Sequence, residues 1–261
     1  MAFLEIKNLD FSYTSGQKVL DDISFSLNKG ETLSIVGASG CGKSTLLRII
    51  SSILPKTNDN ILDGSVSINN LTTGQYRQTG KLSFMFQDST LMPNLNVKKN
   101  IEFPLRIKGL KNQQKIEDLI KIVGLEKFIS FLPKELSGGM KTRVSLARSF
   151  VTEPELLLLD EPFSALDIAW KSKLYVELEK LREYTKTTIV IVTHDVQEAL
   201  LLADHIVVLN NLGSIETMKE ISSEFSTMER VDNITEYMNS IYESHMLPIQ
   251  DAIINGQNKM R

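Results

Sequence analysis

The chain has 261 residues, enough for one large α/β domain with a modest appendage and well above the size at which a core needs staples. Hydrophobic residues make up 42% of it and its longest apolar runs are strand-sized, so no segment is expected to span a bilayer; a single cysteine, Cys41, rules out an internal disulfide. The formal charge of -3 argues against a broad basic surface for nucleic acid, and the start Met1 to Lys7 lacks the pattern of a secretory leader, which points to the cytosol.

In chain order, Phe3 to Lys7 and Ile23 to Leu27 alternate in the manner of antiparallel strands around the turn-like Thr14-Ser15-Gly16. Thr32 to Val36 is a β-rich run that stops at Gly37, Gly40 and Gly42, and helical spacing resumes from Ser44 to Ile53. Lys56 to Gly64 reads as a surface loop, followed by strands at Val66 to Ile68 and Leu82 to Phe86. Between about Asp88 and Val151 helical patterns dominate, including Lys111 to Val123 and Met140 to Phe150. From Glu155 the α/β rhythm returns: strand Leu156 to Leu159, helix Ala169 to Tyr184, strand Thr188 to Val192, helix Val196 to Ala203, strand His205 to Leu209. This alternation predicts an α/β fold with a mostly parallel sheet. The tail carries one expected amphipathic helix, around Met228 to Tyr242.

Two motifs carry the chemistry on their own residues. Gly37-Ala38-Ser39-Gly40-Cys41-Gly42-Lys43-Ser44-Thr45 matches G-x-x-x-x-G-K-[ST] between a strand and a helix, the setting in which backbone N–H groups curl around phosphate oxygens. Lys43 is expected to reach the β- and γ-phosphates and Ser44 to ligate Mg²⁺. Cys41, beside the positive end of that helix, is a candidate for a thiol of lowered pKa. Leu156 to Leu159 ends in the adjacent acids Asp160 and Glu161. Because successive strand side chains face opposite ways, Asp160 is assigned to Mg²⁺ and Glu161 to orienting or deprotonating the attacking water.

Leu136-Ser137-Gly138-Gly139-Met140 opens a helix, and taken alone it is an ordinary serine cap. Together with the phosphate loop before it and Asp160-Glu161 after it, it resembles the LSGGQ signature of the ATP-binding cassette family, over almost the whole chain to about Leu209. The resemblance implies a P-loop NTPase core of the RecA type, an N-terminal antiparallel β-subdomain, and a helical subdomain inserted at about residues 88–151. It bounds the cassette at residues 1–210 and leaves 211–261 as a partly helical extension. It implies that Tyr13 stacks on adenine, that Gln87 touches Mg²⁺ and the attacking water, and that His194 contacts the γ-phosphate. It also implies that Asp167, in Ser164-Ala165-Leu166-Asp167, lies on a loop crossing between subunits, and that Ser137, Gly138 and Gly139 bind the partner's ATP in a head-to-tail dimer. Met140 departs from the signature's usual glutamine, and the Gly-Gly-Met variant is similar to importer ATPases for nitrate, sulfonates and taurine.

The resemblance therefore implies hydrolysis of MgATP on the cytoplasmic face of a membrane, powering separate membrane subunits served by a solute-binding protein, with no nucleic acid involved. A soluble cassette ATPase of a non-transport assembly, such as metal-cluster assembly, is the alternative; a P-loop kinase or GTPase is disfavoured by the signature and by Asp160-Glu161. Leu91, Met92 and Leu95, directly after Gln87, are expected to offer an apolar surface to a membrane partner. The tail beyond Leu209 holds no motif and is expected to be dispensable for ATP binding.

Overall fold

The computed structural model describes residues 2–13, 18–54, 60–164, 166, 168–221, 229–230 and 246–258. Two sheets form its frame. The first joins β1 (Leu4–Ser12), β2 (Lys18–Leu27), β4 (Ile61–Ile68) and β5 (Leu71–Thr72) in the antiparallel order β2-β1-β4-β5. The second has six strands in the order β10-β9-β3-β8-β7-β6: β3 (Thr32–Gly37), β6 (Leu82–Met85), β7 (Leu156–Asp160), β8 (Thr188–Thr193), β9 (His205–Leu209) and β10 (Ile215–Glu220). All neighbours in this sheet are parallel except β10, which runs antiparallel to β9.

The central strands β3, β7 and β8 are buried at every position, the expected state of a parallel sheet covered on both faces. Their alternate residues serve two cores. Leu157, Leu159, Ile189 and Ile191 face the main cluster, with helices α3 (Val97–Ile107), α4 (Gln113–Ile122), α5 (Gly138–Phe150), α6 (Ile168–Thr185) and α7 (Val196–Leu202). Leu156, Leu158, Val190 and Val192 face the second, shared with α1 (Lys43–Ile50) and the antiparallel sheet. The period of two in the sequence is thus what splits one sheet between two cores.

The structure differs from the sequence reading at three places. The loop expected to run to Gly64 ends earlier, because β4 starts at Ile61. Gly64 is not a turn but a close approach: its φ is +85°, and a Cβ there would lie 2.2 Å from the Asn8 carbonyl oxygen, beside the register shift between Lys7 and Asp10. A short helix missed in the sequence, α2 (Thr73–Gln78), begins in a capping box in which the Thr72 hydroxyl accepts the Gln75 N–H and the Gln75 side chain accepts the Thr72 N–H.

The third difference concerns the tail. The sheet continues beyond Leu209, since β10 is its edge strand, and the turn between β9 and β10 returns to the first sheet. There Asp21 N–H donates to the Gly213 carbonyl at 3.0 Å. A last helix, α8 (Leu247–Asn258), packs on β9 and β10 and buries Ile249 completely. Of the amphipathic helix expected over 228–242, only residues 229 and 230 are described, both helical; Arg230 Nη1 donates to the Ala203 carbonyl at 2.9 Å, just past the end of α7.

Candidate functional site

The site forms where β3, β7 and β8 end at their carboxyl edge, the location favoured for ligands in parallel α/β sheets. Gly37 closes β3, and the loop through Gly42 turns directly into α1. Gly42 has φ +100°, and a Cβ there would sit 2.7 Å from the Val19 carbonyl oxygen and 2.8 Å from Leu20 Cδ2, so only glycine lets the loop lie against β2. Lys43 Nζ donates to the carbonyls of Gly37 and Ala38, both at 2.8 Å, which centres its ammonium inside the loop.

Ser44 Oγ donates to Asp160 Oδ1 at 2.9 Å. Asp160 is buried at the end of β7, and burial raises its pKa, reinforced by the neighbouring Glu161 charge and opposed by the Ser44 hydrogen bond. Glu161 adopts φ +46°, which turns the chain off the strand; its N–H donates to the Val192 carbonyl at 2.9 Å. Its carboxylate meets two groups from other strand ends. Gln87 Nε2 donates to Glu161 Oε2 at 3.2 Å, and His194 Nδ1 lies 3.4 Å from the same oxygen.

A cavity of about 560 Å³ is lined by Tyr13, Ser39, Gly40, Gly42, Lys43, Ser44, Thr45, Gln87, Glu161 and His194. Tyr13 is held there by a hydrogen bond of 3.0 Å between its hydroxyl and Thr45 Oγ1 and by edge-on contact with Phe11. Val19 also lines the cavity and was missed in the sequence, where it looks like any alternating strand residue. Asp160 sits behind Ser44, and Ala38 lies in the loop without lining the cavity.

Ser137 to Gly139 stand apart from this cavity, and the reading of Cys41 is overturned. Ser137 and Gly138 are exposed, and neither they nor Gly139 line this cavity; Ser137 Oγ instead accepts the Met140 N–H at 3.3 Å and caps α5. Asp167 lies outside the described residues. The activated thiol is corrected: Cys41 is 3% exposed, with a Gly37 Cβ position only 2.8 Å from its Sγ, and burial raises its pKa against the lowering influence of Lys43 and backbone N–H groups. Desolvation outweighs the helix end here because the thiol is packed into the second core, even with Lys43 Nζ 4.0 Å from its Sγ.

The loop after Gln87 is built around Asn100, which is fully buried. Its Oδ1 accepts the Met92 N–H at 2.8 Å, and its Nδ2 donates to the carbonyls of Met92 (3.2 Å), Leu95 (2.6 Å) and Asn96 (3.2 Å). Arg148 of α5 donates to the Thr90 carbonyl at 2.9 Å and hydroxyl at 3.0 Å. Met92 is exposed, whereas Leu91 packs partly against the main core. A second cleft, of about 430 Å³ between α4 and α6, holds none of the residues singled out in the sequence.

The chain is similar to known proteins over most of its length. The family model described as ABC transporter matches residues 20–164. The spermidine/putrescine import ATP-binding protein PotA of Borreliella afzelii is 38% identical over 239 residues, covering 89% of this chain and 68% of its own. The trimethylamine N-oxide transport system ATP-binding protein TmoW of Pelagibacter ubique is 42% identical over 205 residues, 76% of this chain and 60% of its own. The aliphatic sulfonates import ATP-binding protein SsuB of Bacillus anthracis is 38% identical over 206 residues, 79% of each. Among solved structures, the ATP-binding cassette MJ0796, a dimer in a post-hydrolysis state bound to ADP and Pi, superposes with a TM-score of 0.74 at 31% identity, over 84% of this chain and 99% of that one. The chain belongs to the ABC transporter family, as an ATP-binding and ATP-hydrolysing cassette.

Proposed function

We propose that this chain is the motor subunit of a solute importer, working as a head-to-tail dimer on the cytoplasmic face of a membrane beside separate membrane subunits. The observation that carries the reading is that Lys43, Ser44, Gln87, Glu161 and His194 line one cavity while Ser137 and Gly138 stand exposed outside it. A capped helix start with free N–H groups is an anion site, and on α5 it is suited to the γ-phosphate held by a second copy. Among the described residues no helix is long and apolar enough to cross a membrane, so a membrane step would belong to other chains.

Mg²⁺ fits the site. Ser44 Oγ and Asp160 Oδ1 bring two oxygen donors within 2.9 Å, and a cation there would relieve the desolvated carboxylate. Among the described residues no group of three His, Cys, Asp or Glu side chains forms a cage, consistent with an ion held largely by phosphates and water. When bound it would neutralise charge on the phosphate oxygens. The residues of the chain then have distinct tasks: Lys43 balances charge at the loop, Tyr13 offers an aromatic face for the base, and Glu161 Oε2 orients water and takes its proton. Gln87 and His194 hold that oxygen from two sides.

The family comparisons name relatives for polyamines, trimethylamine N-oxide and sulfonates. Their solutes differ while their cassettes align with this one, which supports import of a small solute, such as a sulfonate, nitrate or taurine, chosen by the membrane and solute-binding subunits. The test is Glu161→Gln. It should bind MgATP, lower turnover by at least ~10² and elute as a dimer on sizing with ATP. A variant that stays monomeric with ATP, or keeps full turnover, overturns the reading.

A further inference from the structure

The positions of Glu161 and His194 rest on groups behind the cavity that the cassette motifs do not include. Glu198, in the first turn of α7, is 3% exposed, and a carboxylate so placed is costly unless it is well paired. It is paired from two other elements. Its Oε1 accepts from Lys171 Nζ at 2.7 Å and from the Tyr175 hydroxyl at 3.2 Å, both on α6, and its Oε2 accepts from Thr193 Oγ1 at 2.6 Å at the end of β8. Thr193 Oγ1 in turn accepts the Asp195 N–H at 3.0 Å. Asp195 Oδ1 accepts the N–H groups of Gln197 and Glu198 at 2.9 and 3.3 Å, and its Oδ2 lies 3.4 Å from Lys171 Nζ.

Both chain neighbours of His194 are therefore fixed, while its own side chain is 59% exposed on the cavity side and meets Glu161 Oε2 at 3.4 Å. The same face of α6 reaches the other catalytic group. Tyr175, four residues after Lys171 and so one turn along, stacks edge-on against the buried Phe163 with ring centres 4.9 Å apart, two residues beyond Glu161. Burial pushes the Tyr175 hydroxyl well above its usual range, aided by Glu198 and Asp195, so it stays a donor. Burial opposes the Lys171 charge, but hydrogen bonds and charge from Glu198 and Asp195 outweigh it and hold the group cationic.

We propose that Lys171 and Tyr175 of α6, with Glu198 of α7, are positioning residues that set the separation of Glu161 and His194. The inference rests on the ATPase reading of the site.

The test separates positioning from simple stability. Lys171→Met should lower kcat by ~10- to 10²-fold, the loss expected from misplacing a reacting group by about an ångström, while MgATP affinity stays within about threefold because the phosphate loop is untouched. Lys171→Arg should restore most of kcat. The double variant Lys171→Met with Glu198→Met removes both members of the ion pair and so leaves no buried carboxylate without its partner; its urea midpoint should return toward that of the parent while kcat stays low. A double variant in which kcat recovers with stability, or a Lys171→Met protein with parental kcat, overturns the proposal. Parental protein that hydrolyses no ATP would instead strike at the ATPase reading.

Discussion

Replacing Asn100 with alanine tests whether the loop after Gln87 is built on a single buried side chain. The substitution removes the contacts to Met92 N–H and to the carbonyls of Met92, Leu95 and Asn96 from a residue with no exposure. Because the amide nitrogen shares two hydrogens among three carbonyls, these amount to three full hydrogen bonds, and at roughly 0.5–1.5 kcal/mol each a loss of about 1.5–4.5 kcal/mol is expected. Urea denaturation measures it directly. Asn100→Asp sharpens the argument, since it keeps an acceptor for Met92 N–H but turns a charge toward three carbonyls. The introduced carboxyl should have a folded pKa raised above its unfolded value, so this variant should be nearly as stable as the parent below about pH 4 and lose stability as pH rises through the folded pKa. Parental urea midpoints for Asn100→Ala, or a pH-independent deficit for Asn100→Asp, would refute the reasoning.

Other expectations can be checked with equally simple measurements. Cys41 should react with maleimide slowly in the native protein and quickly in urea; rapid native labelling would show the thiol is not desolvated as its burial implies. The raised pKa of Asp160 means that its ionised form costs stability without a cation, so Asp160→Asn should unfold later than the parent at neutral pH without nucleotide. That gain should vanish below about pH 4, where the carboxyl is protonated in both states, and thermal shifts across pH would show it. Gly213→Ala should destabilise by more than ~1 kcal/mol, since φ is +78° and the new Cβ would lie 2.0 Å from the Val19 carbonyl oxygen; it should also weaken nucleotide binding through Val19, which a binding titration would read.

What the sequence displayed was whatever its residues do locally. The all-apolar run Leu156 to Leu159, short and ending in two acids, reads as a strand covered on both faces, and a glycine loop between strand and helix has one well-understood geometry. Features set by distant contacts were hidden. Strand β10 reads as polar, Ile-Glu-Thr-Met-Lys-Glu, because an edge strand needs only partial cover. Gly64 looks like a turn because a backbone approach from Asn8 leaves no mark in its neighbours. Cys41 shares its local surroundings with activated thiols, and only the packing of the second core decides against it. Lys171 and Glu198 are ordinary helix charges until the fold sets them 2.7 Å apart.

Glu161 shows how the site combines these scales. A non-glycine residue at φ +46° is strained by roughly 1–2 kcal/mol, and the surroundings enforce it: Val192 takes its N–H, Ser164 Oγ donates to its carbonyl at 3.0 Å, and Phe163 is fully buried two residues on. The strain frees the carboxylate from the alternation of β7 and delivers it to the cavity beside Gln87 and His194, while Asp160 stays behind Ser44. Comparing Glu161→Gly with Glu161→Ala isolates the backbone from the chemistry, because both lose the carboxylate and both should lose turnover. At ordinary positions alanine is the more stable of the two by about 0.5–1 kcal/mol. Here the order should reverse, with Glu161→Gly more stable by about 1 kcal/mol in urea without nucleotide. If Glu161→Ala unfolds at the same or higher urea, the left-handed turn is not strained, and the division of tasks between the two acids must come from strand alternation alone.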